Sequence, residues 1–76
     1  MEVKLIKFIK DEYITDEEID ITPETKLISS GLIDSFSLVS LQAYIEKEFG
    51  KRIPAPLITA ESFDTVNQMI KIINQF

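Results

Sequence analysis

The two glycines and three prolines of this chain stand outside every stretch where apolar residues repeat at helical steps. Pro23, Gly31, Gly50, Pro54 and Pro56 punctuate the sequence; between them run three uninterrupted amphipathic segments. Over residues 2–13, Leu5, Ile6, Ile9 and Tyr13 share one stripe and Lys4, Lys7 and Lys10 another, which predicts a first helix. Over 35–49, Leu38, Leu41, Ile45 and Phe49 recur at three- and four-residue steps, and Gly50 stands where a left-handed cap is wanted. Asp64 or Thr65 opens a last helix with Val66, Met69, Ile70 and Ile73 as its buried stripe.

The connections are read from their turn chemistry. Thr22-Pro23 marks a turn in the long connection 14–34, because proline fixes its own φ and restrains its predecessor. Ile14, Ile19, Ile21, Leu27, Ile28, Leu32 and Ile33 are too apolar for a solvated linker, so this loop is expected to wrap the core, with one helical turn near 23–28. Pro54-Ala55-Pro56 predicts an extended bridge. Thr59, Glu61 and Ser62 predict one short helical turn after it. The expectation is an all-α fold: a small four-helix bundle, three longer helices and one short, forming a single domain over 1–76 with a long loop between helices one and two.

Composition excludes several kinds of chemistry. A chain of 76 residues buries only about 60% of its unfolded surface, leaving little core for a catalytic cleft. It has no cysteine and no histidine, hence no disulfide, no thiolate zinc site and no imidazole base. Thirteen Asp and Glu against 8 Lys and Arg give a net charge of -5, which disfavours nucleic acid as a partner and favours basic protein surfaces. The Lys4, Lys7, Lys10 stripe reads as a solvated face. Asp16-Glu17-Glu18-Ile19-Asp20 fails as a calcium loop, since Ile21 and Leu27 fall where glycine and glutamate are required. Met1–Lys7 breaks its apolar residues with charges, unlike a signal peptide, and no stretch is long enough to span a membrane. A cytoplasmic monomer is expected.

The run Gly31-Leu32-Ile33-Asp34-Ser35-Phe36-Ser37-Leu38-Val39-Ser40-Leu41 places one serine at the seam between a polar loop and the second helix. Asp34 is expected to cap that helix, and Ser35 to lie in its first turn, where free N–H groups and the helix dipole favour an anion such as a phosphodiester. Ser35 is no hydrolase nucleophile: no histidine exists to take its proton, and no lysine lies within one helical turn. Phe36 either folds back onto Leu32 or Ile33, or offers an apolar contact to another protein.

This run resembles the phosphopantetheine-attachment region of carrier proteins, Asp-Ser followed by a large residue. Glu46-Lys47-Glu48-Phe49-Gly50-Lys51-Arg52-Ile53-Pro54 is similar to the family's helix exit, and Phe63-Asp64-Thr65-Val66 to the start of its last helix. The resemblance covers roughly three quarters of the chain. It implies that Ser35 receives 4′-phosphopantetheine from a phosphopantetheinyl transferase, with Asp34 as flanking acid and Phe36 in place of the usual leucine. It further implies a non-catalytic carrier that holds acyl or aminoacyl groups as thioesters. Its partners would be an acyl- or aminoacyl-activating ligase and a downstream transferase or synthase. The partner-facing residues expected are Phe36, Ser37, Val39, Ser40, Ala43, Glu46 and Lys47.

Fatty-acid carriers tend to bear acids along this helix, whereas here the first acid after Ser35 is Glu46, about three turns on. A specialised carrier, of the D-alanyl or other aminoacyl type or of a secondary acyl pathway, is therefore expected. Leu41, Ile45, Ile53 and Ile58 are the residues that would wall a cargo pocket, and a short or polar cargo is expected. The alternatives are an unmodified helical adaptor and an acidic inhibitor-type interaction module.

Overall fold

The computed structural model describes residues 1–14, 16 and 18–76. Its elements are α1 (Glu2–Tyr13), α2 (Ser37–Phe49), a 3₁₀ turn (Ala55–Leu57) and α3 (Val66–Ile73), with no strand among the described residues. The fold is all-helical, and the fourth element is a single 3₁₀ turn.

Each helix forms where its apolar stripe finds the same interior. Leu5 and Ile9 of α1, Leu41 and Ile45 of α2, and Val66, Met69 and Ile73 of α3 are fully buried. Phe63, in the turn before α3, is buried among them as the largest core side chain. The long loop contributes Ile21, Leu27 and Ile33 to this core, and Ile14, Ile19, Ile28 and Leu32 pack against it, as its apolar content predicted. A helical turn near 23–28 is replaced by two separate turns. One is closed by Thr25 N–H to the Thr22 carbonyl, the other by Gly31 N–H to the Ile28 carbonyl. Gly31 takes a positive φ of 82°, which lets the chain reverse there.

α1 and α2 are joined by an aromatic run. Phe8 stacks on Tyr44 with ring centroids 4.0 Å apart, and Tyr13 and Phe49 meet that pair edge-on at 5.9 Å each. Tyr44 donates to the Lys4 carbonyl, and Lys4 pairs with Glu48 at 3.1 Å. The lysine stripe is a surface feature: Lys7 pairs within its own helix with Asp11. The acidic run 16–20 lies partly outside the described residues. Within it, Asp16 Oδ1 accepts from the Glu18 N–H, and among the described residues no cluster of acids is arranged to hold a metal ion.

Two boundaries differ from the sequence reading. α2 begins at Ser37, two residues late, because Asp34, Ser35 and Phe36 form a tighter lead-in with i to i+3 bonds. The expected extended bridge at 54–56 instead closes into the 3₁₀ turn, with Leu57 N–H bonded to the Pro54 carbonyl. Pro56 fits there because its missing N–H falls where a first turn has no partner to offer. The single helical turn expected from Thr59, Glu61 and Ser62 does form: Phe63 N–H bonds the Thr59 carbonyl at 3.0 Å, and reciprocal Thr59 and Ser62 bonds hold it.

Candidate functional site

Ser35 is exposed, one residue before the residue that caps α2. Asp34 Oδ1 accepts the Phe36 N–H at 2.7 Å, so the aspartate organises the turn as expected, though it is not the formal cap. One expectation is corrected. The N–H groups of the first turn are not free: Ser37, Leu38 and Val39 donate to the carbonyls of Asp34, Ser35 and Phe36. What remains to favour an anion at Ser35 is the field of α2, not a set of open donors.

The side chains after Ser35 divide by face. Phe36 and Val39 are 85% and 73% exposed, and Ser40, Ala43, Glu46 and Lys47 are exposed too. Residues 36, 39, 40, 43 and 47 follow three- and four-residue steps, so they form one outward stripe with Glu46 at its edge. It carries no charge before Glu46. Phe36 does not fold back onto Leu32 or Ile33. Ser37, expected on the outward face, is half-buried, and its carbonyl accepts from the Tyr13 hydroxyl.

Beside Ser35 runs an open groove lined by Leu38, Val39, Gln42, Ala55 and Ile58. Gln42, on its wall, donates to the Ile53 carbonyl at 3.1 Å and ties the segment before the 3₁₀ turn to α2. Of the four expected pocket residues, Ile58 lines this groove. Leu41, Ile45 and Ile53 do not, because all three are closed into the core.

Asp64 was offered by its sequence position as one possible cap of α3. The structure gives that role to Thr65, which forms a reciprocal capping box with Gln68. Asp64 instead caps the loop. Its Oδ1 accepts from the N–H groups of Ile28 and Ser29 at 2.7 and 2.9 Å, and its Oδ2 accepts from the Ser29 hydroxyl at 2.7 Å. Its carbonyl takes the Leu27 N–H at 2.8 Å. Burial alone pushes this carboxyl up; the Ser29 and Ile28 hydrogen bonds, with Lys26 nearby, outweigh that and hold it below the usual carboxylate value. A Thr65-x-x-Gln68 box was legible in advance and would have left Asp64 spare.

The family profile described as phosphopantetheine attachment site matches residues 7–73, nearly the whole of this helical frame and the Asp34-Ser35 turn within it. The chain belongs to that family. Members carry a covalently attached phosphopantetheine, and this chain is a carrier protein of the family. It is 34% identical over 71 residues to an aminoacyl carrier protein 1 of Bradyrhizobium diazoefficiens, covering 93% of this chain and 76% of that one. It is 28% identical over 64 residues to a D-alanyl carrier protein of Bacillus licheniformis, covering 84% and 82%. A chain in the crystal structure of an FAD-dependent dehydrogenase superposes with a TM-score of 0.77 at 35% identity, over 93% of this carrier and 100% of that chain. Among the described residues of the carrier, no helix is long and apolar enough to cross a membrane.

Proposed function

We propose that Ser35 is the residue of this carrier that takes the arm, and that the carrier itself catalyses nothing. In the transfer, Ser35 Oγ attacks the phosphorus that bears the pantetheine in coenzyme A. A new O–P bond forms and the pyrophosphate P–O bond breaks. Adenosine 3′,5′-bisphosphate leaves, and the serine proton passes to a base of the transferase. The arm, when bound, supplies a terminal thiol that holds a carboxylic group as a thioester. One observation carries this reading: Ser35 is exposed at the head of α2, beside an open groove, inside the region the family profile matches. Exposure and open space are what a flexible tether and a docking transferase both require.

Incubation with coenzyme A and a broad-specificity phosphopantetheinyl transferase tests it. The full chain gains the mass of one phosphopantetheine and Ser35→Ala gains none. An unmodified adaptor or an acidic inhibitor would leave both masses unchanged. Modification of the Ser35→Ala chain would move the attachment point elsewhere.

The cargo we propose is aminoacyl or short acyl, in a specialised pathway and not primary fatty-acid synthesis. Two relatives are aminoacyl and D-alanyl carriers, and Leu41, Ile45 and Ile53 close the core where a buried chain would need room. The stripe Phe36, Val39, Ser40, Ala43 and Lys47, with Glu46 at its edge, serves as the docking face for the transferase, for an activating ligase, and for a downstream transferase or synthase. The likeness to a chain in an FAD-dependent dehydrogenase structure adds a flavin enzyme to the partners worth testing. The Ala55–Leu57 turn stands as the counterpart of the family's short helix. A cytoplasmic setting belongs to the same proposal, since the transfer draws on coenzyme A.

A further inference from the structure

Asp64 is 7% exposed, and four donors from Leu27, Ile28 and Ser29 end on its carboxylate and carbonyl. α3 does not need that carboxylate. Thr65 and Gln68 cap the helix between them, and the Asn67 N–H is taken by the Pro23 carbonyl. Every side-chain bond Asp64 makes is to the loop. From there the bonding continues toward Ser35. The Leu27 carbonyl accepts the Ile33 N–H at 3.0 Å, Ile33 is buried, and the next residue is Asp34, whose carboxylate holds the Phe36 N–H. Asp64 and Ser35 are thus linked through the loop by hydrogen bonds alternating with its covalent backbone, although no helix connects them.

We propose that Asp64 is a positioning residue for the attachment site, fixing the loop so that the Asp34-Ser35-Phe36 turn presents one geometry to the transferase. This rests on the reading of Ser35 as attachment point. A hydroxyl that must meet a phosphorus in line is sensitive to displacements of about 1 Å, so the loop's anchor acts on rate without touching the reactants. A carboxylate suits the task because its two oxygens collect the backbone and hydroxyl donors at once.

The test compares arm transfer from coenzyme A to the full chain and to Asp64→Asn, Asp64→Ala, Ser29→Ala and Ser35→Ala. Each is first shown to be folded by circular dichroism, and Ile73→Val serves as a destabilised control remote from the loop. Asparagine can still accept both N–H groups and donate to the Ser29 hydroxyl, so Asp64→Asn keeps kcat/KM within about threefold. Asp64→Ala loses at least about tenfold, and Ser29→Ala falls between. Amide exchange quickens at Ile33 and Phe36 in Asp64→Ala, while α1 keeps its protection. Loss of stability alone gives a different pattern, with Ile73→Val and Asp64→Ala alike once folded. A folded Asp64→Ala modified at the wild-type rate with Ile33 and Phe36 still protected overturns the proposal. Should Asp64→Ala not fold, Ser29→Ala decides: an unchanged rate and unchanged Ile33 protection overturn it equally. A wild-type chain that takes no arm refutes the reading of Ser35, and the exchange data still judge the role of Asp64.

Discussion

Replacing Phe36 by alanine separates folding from docking more cleanly than any other change in this carrier. The side chain is 85% exposed, so only about a seventh of it is covered on folding. Full burial of a phenylalanine is worth about 1.5–3 kcal/mol, which leaves roughly 0.2–0.5 kcal/mol for Phe36. For a domain of this size that moves the melting midpoint by no more than about 4 °C. Phe63 gives the contrast, since it is fully buried and Phe63→Ala should cost about 3–5 kcal/mol. Against a total stability of roughly 4–11 kcal/mol, that loss brings the chain close to unfolding. If a partner covers Phe36 completely, Phe36→Ala forfeits roughly 1.5–2.5 kcal/mol of association, or about ten- to seventyfold in Kd. Thermal melts of both variants, with transferase KM measured for wild type and Phe36→Ala, provide the readout. A Phe36→Ala melting point depressed by 10 °C or more, on the order of the Phe63 effect, would show that the ring serves the fold and refute this reasoning.

Asp64 makes stability depend on acid in a fixed direction. Its carboxyl is held below its ordinary value in the folded chain, so its contribution is complete above the unfolded carboxylate's pKa and is lost as pH falls through the folded one. Urea titrations should show the stability gap between wild type and Asp64→Asn narrowing as pH falls below the ordinary carboxylate value of 3.8. Gly50→Ala meets no neighbouring atom but keeps a φ of +65° that alanine resists, so it should cost about 1–2 kcal/mol in the same titrations at neutral pH. Because no charge lies on the outward stripe before Glu46, the KM of the transferase for this carrier should change less than about threefold between roughly 0.05 and 0.3 M salt.

The helices were legible because their signals are local. The α1 stripe, the Gly50 cap and the Val66–Ile73 stripe each depend on residues a turn apart, and their placement matches. The misplacements have local causes too. Pro54 has φ of −59°, which suits an extended bridge and the start of a 3₁₀ turn equally, so composition at 54–56 cannot choose between them. Asp34 would bond the chain two residues on whether helix or turn follows, so the start of α2 was ambiguous by two residues. At the site, the exposure of Ser35 followed from the sequence, but the occupied state of the first-turn N–H groups did not. The anchoring by Asp64 was hidden for a different reason: its partners Ile28 and Ser29 lie 36 and 35 residues away, and periodicity carries no information over that span.

α2 divides its sides among separate tasks within 13 residues. Leu41 and Ile45 serve the core, Tyr44 and Glu48 meet α1, Leu38 and Gln42 line the groove, and Val39, Ser40, Ala43 and Lys47 face outward. Substitutions on the outward side therefore cost the fold little, within about 0.5 kcal/mol each. Ser40→Glu combined with Ala43→Glu puts two acids on a stripe that now has none before Glu46. Folding should be indifferent, because both positions are exposed and glutamate is a good helix former. Association should not be: an enzyme adapted to a stripe without charge before Glu46 would bind more weakly, and its KM would acquire a salt dependence it lacked. A doubly acidic carrier that docks its own enzymes unchanged at every salt concentration would mean that recognition lies on another face.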